Sequence, residues 1–164
     1  MKTLKLKPLT MENFAVYGRF HSMTGPTGAA LGVGSPIRFY RDLVPLGTAQ
    51  NLAASVTEVD PIPLVVDVME YHTNNWEGFM GLDCDSYVVV APATGDGTFK
   101  TEDLEAFFVP KGTFIYLHPG VWHYAPFPAE NMVLHSLVLL PERTYANDCE
   151  KVFLAPEEQV ALEV

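Results

Sequence analysis

Positive charge is scarce in this sequence. Of 164 residues only 10 are Lys or Arg, against 20 Asp or Glu, for a formal net charge of −10. Nucleic-acid binding works through clustered Lys and Arg that neutralise phosphates, so a nucleic-acid partner is excluded. Cysteine is nearly absent too. Cys84 and Cys149 are the only two, without CxxC spacing. That excludes a disulfide framework, a zinc knuckle and a dithiol redox pair, and fits a reducing cytoplasm. No apolar run approaches membrane-spanning length, so no membrane partner is expected. Met1 to Pro8 alternates charge and lacks the apolar segment of a secretory leader, which again leads to a cytoplasmic expectation. Repeats, low-complexity stretches and linker-like composition shifts are missing as well. Residues 1–164 are therefore expected to form a single domain.

What is present suits many short strands. Hydrophobic residues make up 48%, enough for a sizeable core, and 13 prolines and 12 glycines are spread along the chain. Leu4-Lys5-Leu6-Lys7 alternates and reads as an edge strand, its lysines discouraging further pairing. Thr10 caps a short helix, with Glu12 in its first turn and Gly18 at its end. His21 to Gly34 reads as a loop. Strands are expected at Ile37–Asp42, Asn51–Val59, Leu64–His72, Trp76–Leu82, Tyr87–Ala91, Leu104–Val109 and Met132–Leu140. Pro156-Glu157-Glu158 carries a helix-start signal, which predicts a short closing helix over Glu157–Leu162. Roughly nine short strands argue for a mainly β sandwich or jelly-roll barrel with short N- and C-terminal helices.

The stretch Gly112 to His123 holds the chemistry together. The alternating run Phe114 to Leu117 reaches a His118-Pro119-Gly120 turn, and Val121, Trp122 and His123 start the next strand. Proline presets the turn and glycine accepts its positive φ. Tyr116, His118, Trp122 and His123 thus fall within eight residues. A second cluster, Glu70, His72, Trp76 and Glu77, ends the Leu64–His72 strand. Along that strand Glu70 and His72 share one face with Leu64, Val66 and Val68. His135 lies mid-strand and reads equally as a buried, hydrogen-bonded histidine or as a barrel residue. Asp83 and Asp85 read as turn formers. A carboxylate is held best by a bidentate guanidinium. Only four arginines exist, and Arg38 and Arg143 are the candidates for that task, with plain surface charge as the alternative.

The Gly112, Pro119, Gly120 and His123 pattern resembles the second conserved motif of the cupins. The resemblance implies a small β-barrel with the last histidine pointing inward, often onto a metal. In such a barrel the two clusters face one another. His72, Glu77 and His123 would then form an N,N,O ligand set for a divalent metal, Zn, Mn, Fe or Ni. The usual first motif has two histidines two apart; here the second position is Asn74.

The order of motifs is similar to that of the ureidoglycolate lyases. The matching pieces are Ala15-Val16-Tyr17-Gly18, Arg38-Phe39-Tyr40-Arg41-Asp42, Glu70-Tyr71-His72 with Phe79, and Tyr87-Val88-Val89-Val90-Ala91. They continue with His118-Pro119-Gly120-Val121-Trp122-His123, Arg143 and Asn147-Asp148-Cys149. The chain differs in carrying Glu77 where the family usually has Gln, and Tyr124-Ala125 where the family usually continues His-Pro. The resemblance implies cleavage of (S)-ureidoglycolate to glyoxylate and urea, a C–N lyase step in allantoin breakdown. It also implies a homodimer. His118, His123 and Glu77 would be the acid–base or ligand groups. Arg38 or Arg143 would hold the small anionic substrate, with Trp122, Tyr116 and Phe127 lining its pocket. Two other readings remain: a metal cupin acting on another hydroxy acid or sugar acid, and a cupin that binds a small acid without turnover.

Overall fold

Strand alternation divides the side chains of Thr113–Leu117 between two environments. Ile115 and Leu117 turn inward, while Phe114 and Tyr116 turn outward. The computed structural model, which describes residues 2–164, places this strand in a five-stranded antiparallel sheet. Its order is Gly18–Ser22, Thr113–Leu117, Glu77–Gly81, Leu134–Pro141 and Leu52–Val59. Ile115, Leu117, Phe79 and Val138 on its inner face meet Val88, Val90, Phe107 and Val109 from a second, nine-stranded sheet. Phe14 and Tyr17 close one end of this first core, with Thr10 capping the Met11–Phe14 helix as expected. The result is a mainly β, curled two-sheet barrel.

The nine-stranded sheet curls further and encloses a second core. The expected Leu64–His72 strand is two strands, Val65–Val66 and Val68–Tyr71, broken at Asp67. Val65–Val66 pairs with Val160–Glu163 at one end of the sheet, and Val68–Tyr71 pairs with Trp122–His123 and Glu150–Phe153 toward the other. The Asp67 carbonyl accepts the Leu154 amide outside either ladder, at 2.8 Å. The break lets Val66 and Met69, three residues apart, enter the same core, which an unbroken strand forbids. That core also holds Trp122, Ala91, Val89, Leu154, Val160 and Leu162.

Four further expectations are corrected. Lys2–Lys7 is not an edge strand; it pairs in parallel with Glu105–Val109 on one side and Val160–Glu163 on the other. Its lysines are matched by acids, Lys5 with Glu163 and Lys7 with Glu105, while Leu4 and Leu6 pack on the second core. Glu157–Leu162 is not a helix. Pro156 does start a turn, but Val160 and Leu162 alternate into the second core, and that burial selects a strand. The second short helix is instead Thr144–Asn147. The Ile37–Asp42 strand shrinks to Phe39–Tyr40, which pairs with Ala30–Leu31 inside the expected loop. That loop also starts later than expected, because His21 belongs to the Gly18–Ser22 strand.

The turn after Leu117 is a corner between sheets. Thr113–Leu117 belongs to the small sheet and Trp122–His123 to the large one. Gly120 adopts φ +81°, open to glycine without strain. Its N–H donates to the His72 carbonyl at 2.7 Å, and the His118 N–H donates to Tyr17 at 2.8 Å. The corner is thereby tied to His72 on one side and, through Tyr17, to the first core on the other.

Candidate functional site

Four side chains converge at the strand ends between the two sheets. His123 stands opposite Glu70 in register, Glu77 opens the Glu77–Gly81 strand, and His72 follows the Val68–Tyr71 strand. One ligand atom from each of Glu70, His72, Glu77 and His123 lies within 4.8 Å of the others. The imidazoles are both 3% exposed, and their centroids are 5.2 Å apart. Glu77 Oε2 lies 3.0 Å from His72 Nε2 and 3.1 Å from His123 Nε2.

The outer ring nitrogens fix the tautomers. His72 Nδ1 is 2.6 Å from the Asp148 carbonyl, and His123 Nδ1 is 2.9 Å from the Val121 carbonyl. A carbonyl only accepts, so both Nδ1 atoms carry hydrogens. Both Nε2 lone pairs then point at a carboxylate oxygen, which is also an acceptor. Three acceptors facing one another require a cation among them, either protons or a metal ion. Two imidazoles and carboxylate oxygens suit a first-row divalent ion, so the residues fit one. Without the ion, burial pushes Glu77 upward, but the charges and hydrogen bonds of His123 and His72 prevail and hold it at about 2. Burial disfavours the charged form of His123, yet Glu77 outweighs it and raises its pKa.

Asp148 positions this half of the site. Its carboxylate accepts the backbone N–H groups of Thr73, Asn74 and Asn75 at 2.8, 2.9 and 3.0 Å. Asn74 thus contributes its backbone to the support of the site. Glu70 is the fourth donor, and Lys151 Nζ lies 3.1 Å from it. The Cys149 thiol also donates to Glu70, at 3.5 Å, and burial and the Glu70 charge push it up to about 11.

The other expected site residues lie elsewhere. Tyr116 is on the opposite face of the small sheet from Glu77, stacked on Trp76 at 5.3 Å. His118 meets the edge of the Tyr116 ring at 5.6 Å, and burial and the nearby Arg19 lower its pKa. Trp122 is fully buried in the second core between Tyr71 and Phe99, behind the sheet that carries His123. Phe127 packs on the same core. It also lines a cleft of about 320 Å³ with Thr57, Val59, Val68 and Tyr124, to whose wall none of the four converging side chains contributes. Arg38 lines a separate hollow with Pro26, Pro36 and Tyr40, and Arg143 pairs with its neighbour Glu142 at 3.6 Å. His135 is half-buried on the outer face, bonded to Asp83 and Glu58. Sequence reasoning missed Lys151 and the role of Asp148. For Lys151 the one signal is its alternation with Cys149, which puts both on the Glu70 face, and Asp148 stood out only within the Asn147-Asp148-Cys149 match.

A curled two-sheet barrel with imidazoles and carboxylates gathered at its strand ends is the arrangement that the resemblance to the cupins implies. Residues 1–161 match the family model for ureidoglycolate lyase, and the chain belongs to that family. It is 28% identical over 168 residues to a ureidoglycolate lyase of Pseudomonas fluorescens strain SBW25, covering 99% of this chain and 98% of the relative. It is 26% identical over 169 residues to the ureidoglycolate lyase of Pseudomonas savastanoi pv. phaseolicola strain 1448A, covering 99% and 96%. Among solved structures, oxalate decarboxylase of Bacillus subtilis superposes on 65% of this chain with a TM-score of 0.45 and 19% identity. This chain spans 24% of that one.

Proposed function

We propose that the chain, acting as one cupin-like domain, is a metal-dependent lyase that splits (S)-ureidoglycolate into glyoxylate and urea. The carrying observation is the convergence of two Nε2 lone pairs on Glu77 while both Nδ1–H groups are committed to carbonyls. His72, His123 and Glu77 hold the ion, with Glu70 as the fourth group. A bound divalent ion supplies a Lewis acid that acidifies a substrate hydroxyl.

The remaining chemistry is proton traffic. The hydroxyl proton leaves, its O–H electron pair becomes the second C–O bond, and the C–N pair departs with nitrogen, which takes up a proton. Both nitrogens of His72 and His123 are committed in this arrangement, so neither can accept the hydroxyl proton. The two transfers fall to Glu70, which can take the hydroxyl proton and return it to the departing nitrogen, because His118 lies away from the quartet against Tyr116. The reading includes a cytoplasmic homodimer.

The test is direct: purified protein is given (S)-ureidoglycolate, and glyoxylate, urea and ammonia are followed separately. Glyoxylate and urea in equal amounts without ammonia are expected. Ammonia release, or no glyoxylate at any metal loading, would overturn the assignment.

A further inference from the structure

One cation reaches the quartet among the ion pairs of the described residues, and it is not an arginine. Lys151, Glu70 and His123 stand on one rung, since Lys151 pairs with Glu70 in register and Glu70 with His123. Lys151 Nζ is 3.1 Å from Glu70, with side-chain exposures of 44% and 16%. The ammonium also lies over the Tyr124 ring, 5.3 Å from its centroid. Tyr124 and Val68 in turn line the 320 Å³ cleft. Lys151 therefore touches both the quartet, through Glu70, and Tyr124, a residue of the cleft wall.

Charge counting gives this position a task. Glu70 and Glu77 bring two negative charges, which a divalent ion cancels. Lys151 then leaves the loaded site with one positive charge, the match for a single carboxylate. Arg38 and Arg143, the cations expected to grip the substrate, lie elsewhere, Arg38 at a separate hollow and Arg143 beside Glu142. We propose that Lys151 binds the substrate carboxylate, exchanging Glu70 for it when the site is loaded. Tyr124 supplies a ring face that holds the ammonium in place as the exchange occurs. Glu70 then turns wholly to the ion and the substrate hydroxyl. The proposal rests on the lyase reading only in taking a small carboxylic acid as ligand.

The experiment uses full-length protein loaded with Mn²⁺ and the variants Lys151→Met and Lys151→Arg. Glyoxylate binding is measured by calorimetry, Mn²⁺ affinity by titration, and KM and kcat with ureidoglycolate. In Lys151→Met, glyoxylate binding should weaken about tenfold or more, equivalent to about 1.4 kcal/mol. KM should rise in step, with Mn²⁺ affinity unchanged. Lys151→Arg should recover most of the binding. Unaltered glyoxylate affinity in Lys151→Met would overturn the proposal, as would wild-type protein that does not bind glyoxylate. A parallel loss of Mn²⁺ affinity without rescue by Arg would also overturn it, since Lys151 would then only hold Glu70. The two readings fail separately. Wild type that binds glyoxylate through Lys151 but leaves ureidoglycolate intact sinks the substrate assignment alone. Active wild type with an unaltered Lys151→Met variant sinks Lys151 alone.

Discussion

Four imidazole nitrogens decide the chemistry of single residues here, because two of them are committed to carbonyls and two face Glu77. The resemblance to the cupins brought His72, Glu77 and His123 into one set, and strand parity placed Glu70 on the face of His72. Neither could show the carbonyls of Asp148 and Val121, since backbone acceptors leave no trace in a sequence. Glu77→Gln removes the charge that draws the ion. Its metal affinity should fall by at least about 10–100-fold, the range for outer partners of ligands alone. Equal affinities by titration would make Glu77 a bystander. The metal-free protein should also show a stability window. Glu77, held at about 2 against an ordinary 4.5, contributes stability above 4.5 that is lost as pH falls toward 2. His123, raised above 6.5, contributes below 6.5 and loses this as pH rises through its shifted value. Thermal unfolding with chelator should therefore peak between 4.5 and 6.5. Adding the ion should move the maximum upward, because it replaces the protons.

At the scale of elements, turns and loops carry the site. The His118-Pro119-Gly120 turn was legible from proline and glycine chemistry. Its role as a corner between sheets was not, because turn residues do not say which sheet receives the next strand. The closing Val160–Glu163 strand was misread for a related reason. Local helix signals at Pro156 were real, but a core formed by residues far away in sequence overrode them. Gly120→Ala would force a side chain into φ +81° and bring its Cβ to 3.0 Å from Ala93. We expect a loss of about 1–2 kcal/mol, read by urea unfolding, together with weaker metal binding through the His72 carbonyl bond. Asp148→Ala strips the acceptor from three loop N–H groups. A loss of about 1–3 kcal/mol is expected, and a change within about 0.5 kcal/mol, the surface-substitution range, would show that the loop holds itself.

On the scale of the whole molecule, two cores divide the labour. The first lies between the sheets and positions the quartet. The second, behind the large sheet, closes that sheet on itself at Asp67. Short strands and their turns made the β class legible. The second core was invisible because the break at Asp67 reverses the parity that links Val66 to Met69. Trp122 shows the consequence: it sits one residue from His123 but faces the second core, where it packs on Tyr71 at 4.3 Å. Trp122→Phe should therefore lower the melting temperature and leave KM for ureidoglycolate unchanged. A raised KM at equal stability would put the indole in the substrate pocket instead.

The central claim is that a metal ion at His72, His123, Glu77 and Glu70 is required for cleavage of ureidoglycolate. The most direct test strips the protein with chelator, confirms metal content by elemental analysis, and follows glyoxylate before and after adding back single divalent ions. Activity should vanish with the metal and return at about one ion per chain, the stoichiometry of a single ligand cluster. Full glyoxylate production by metal-free protein would contradict it.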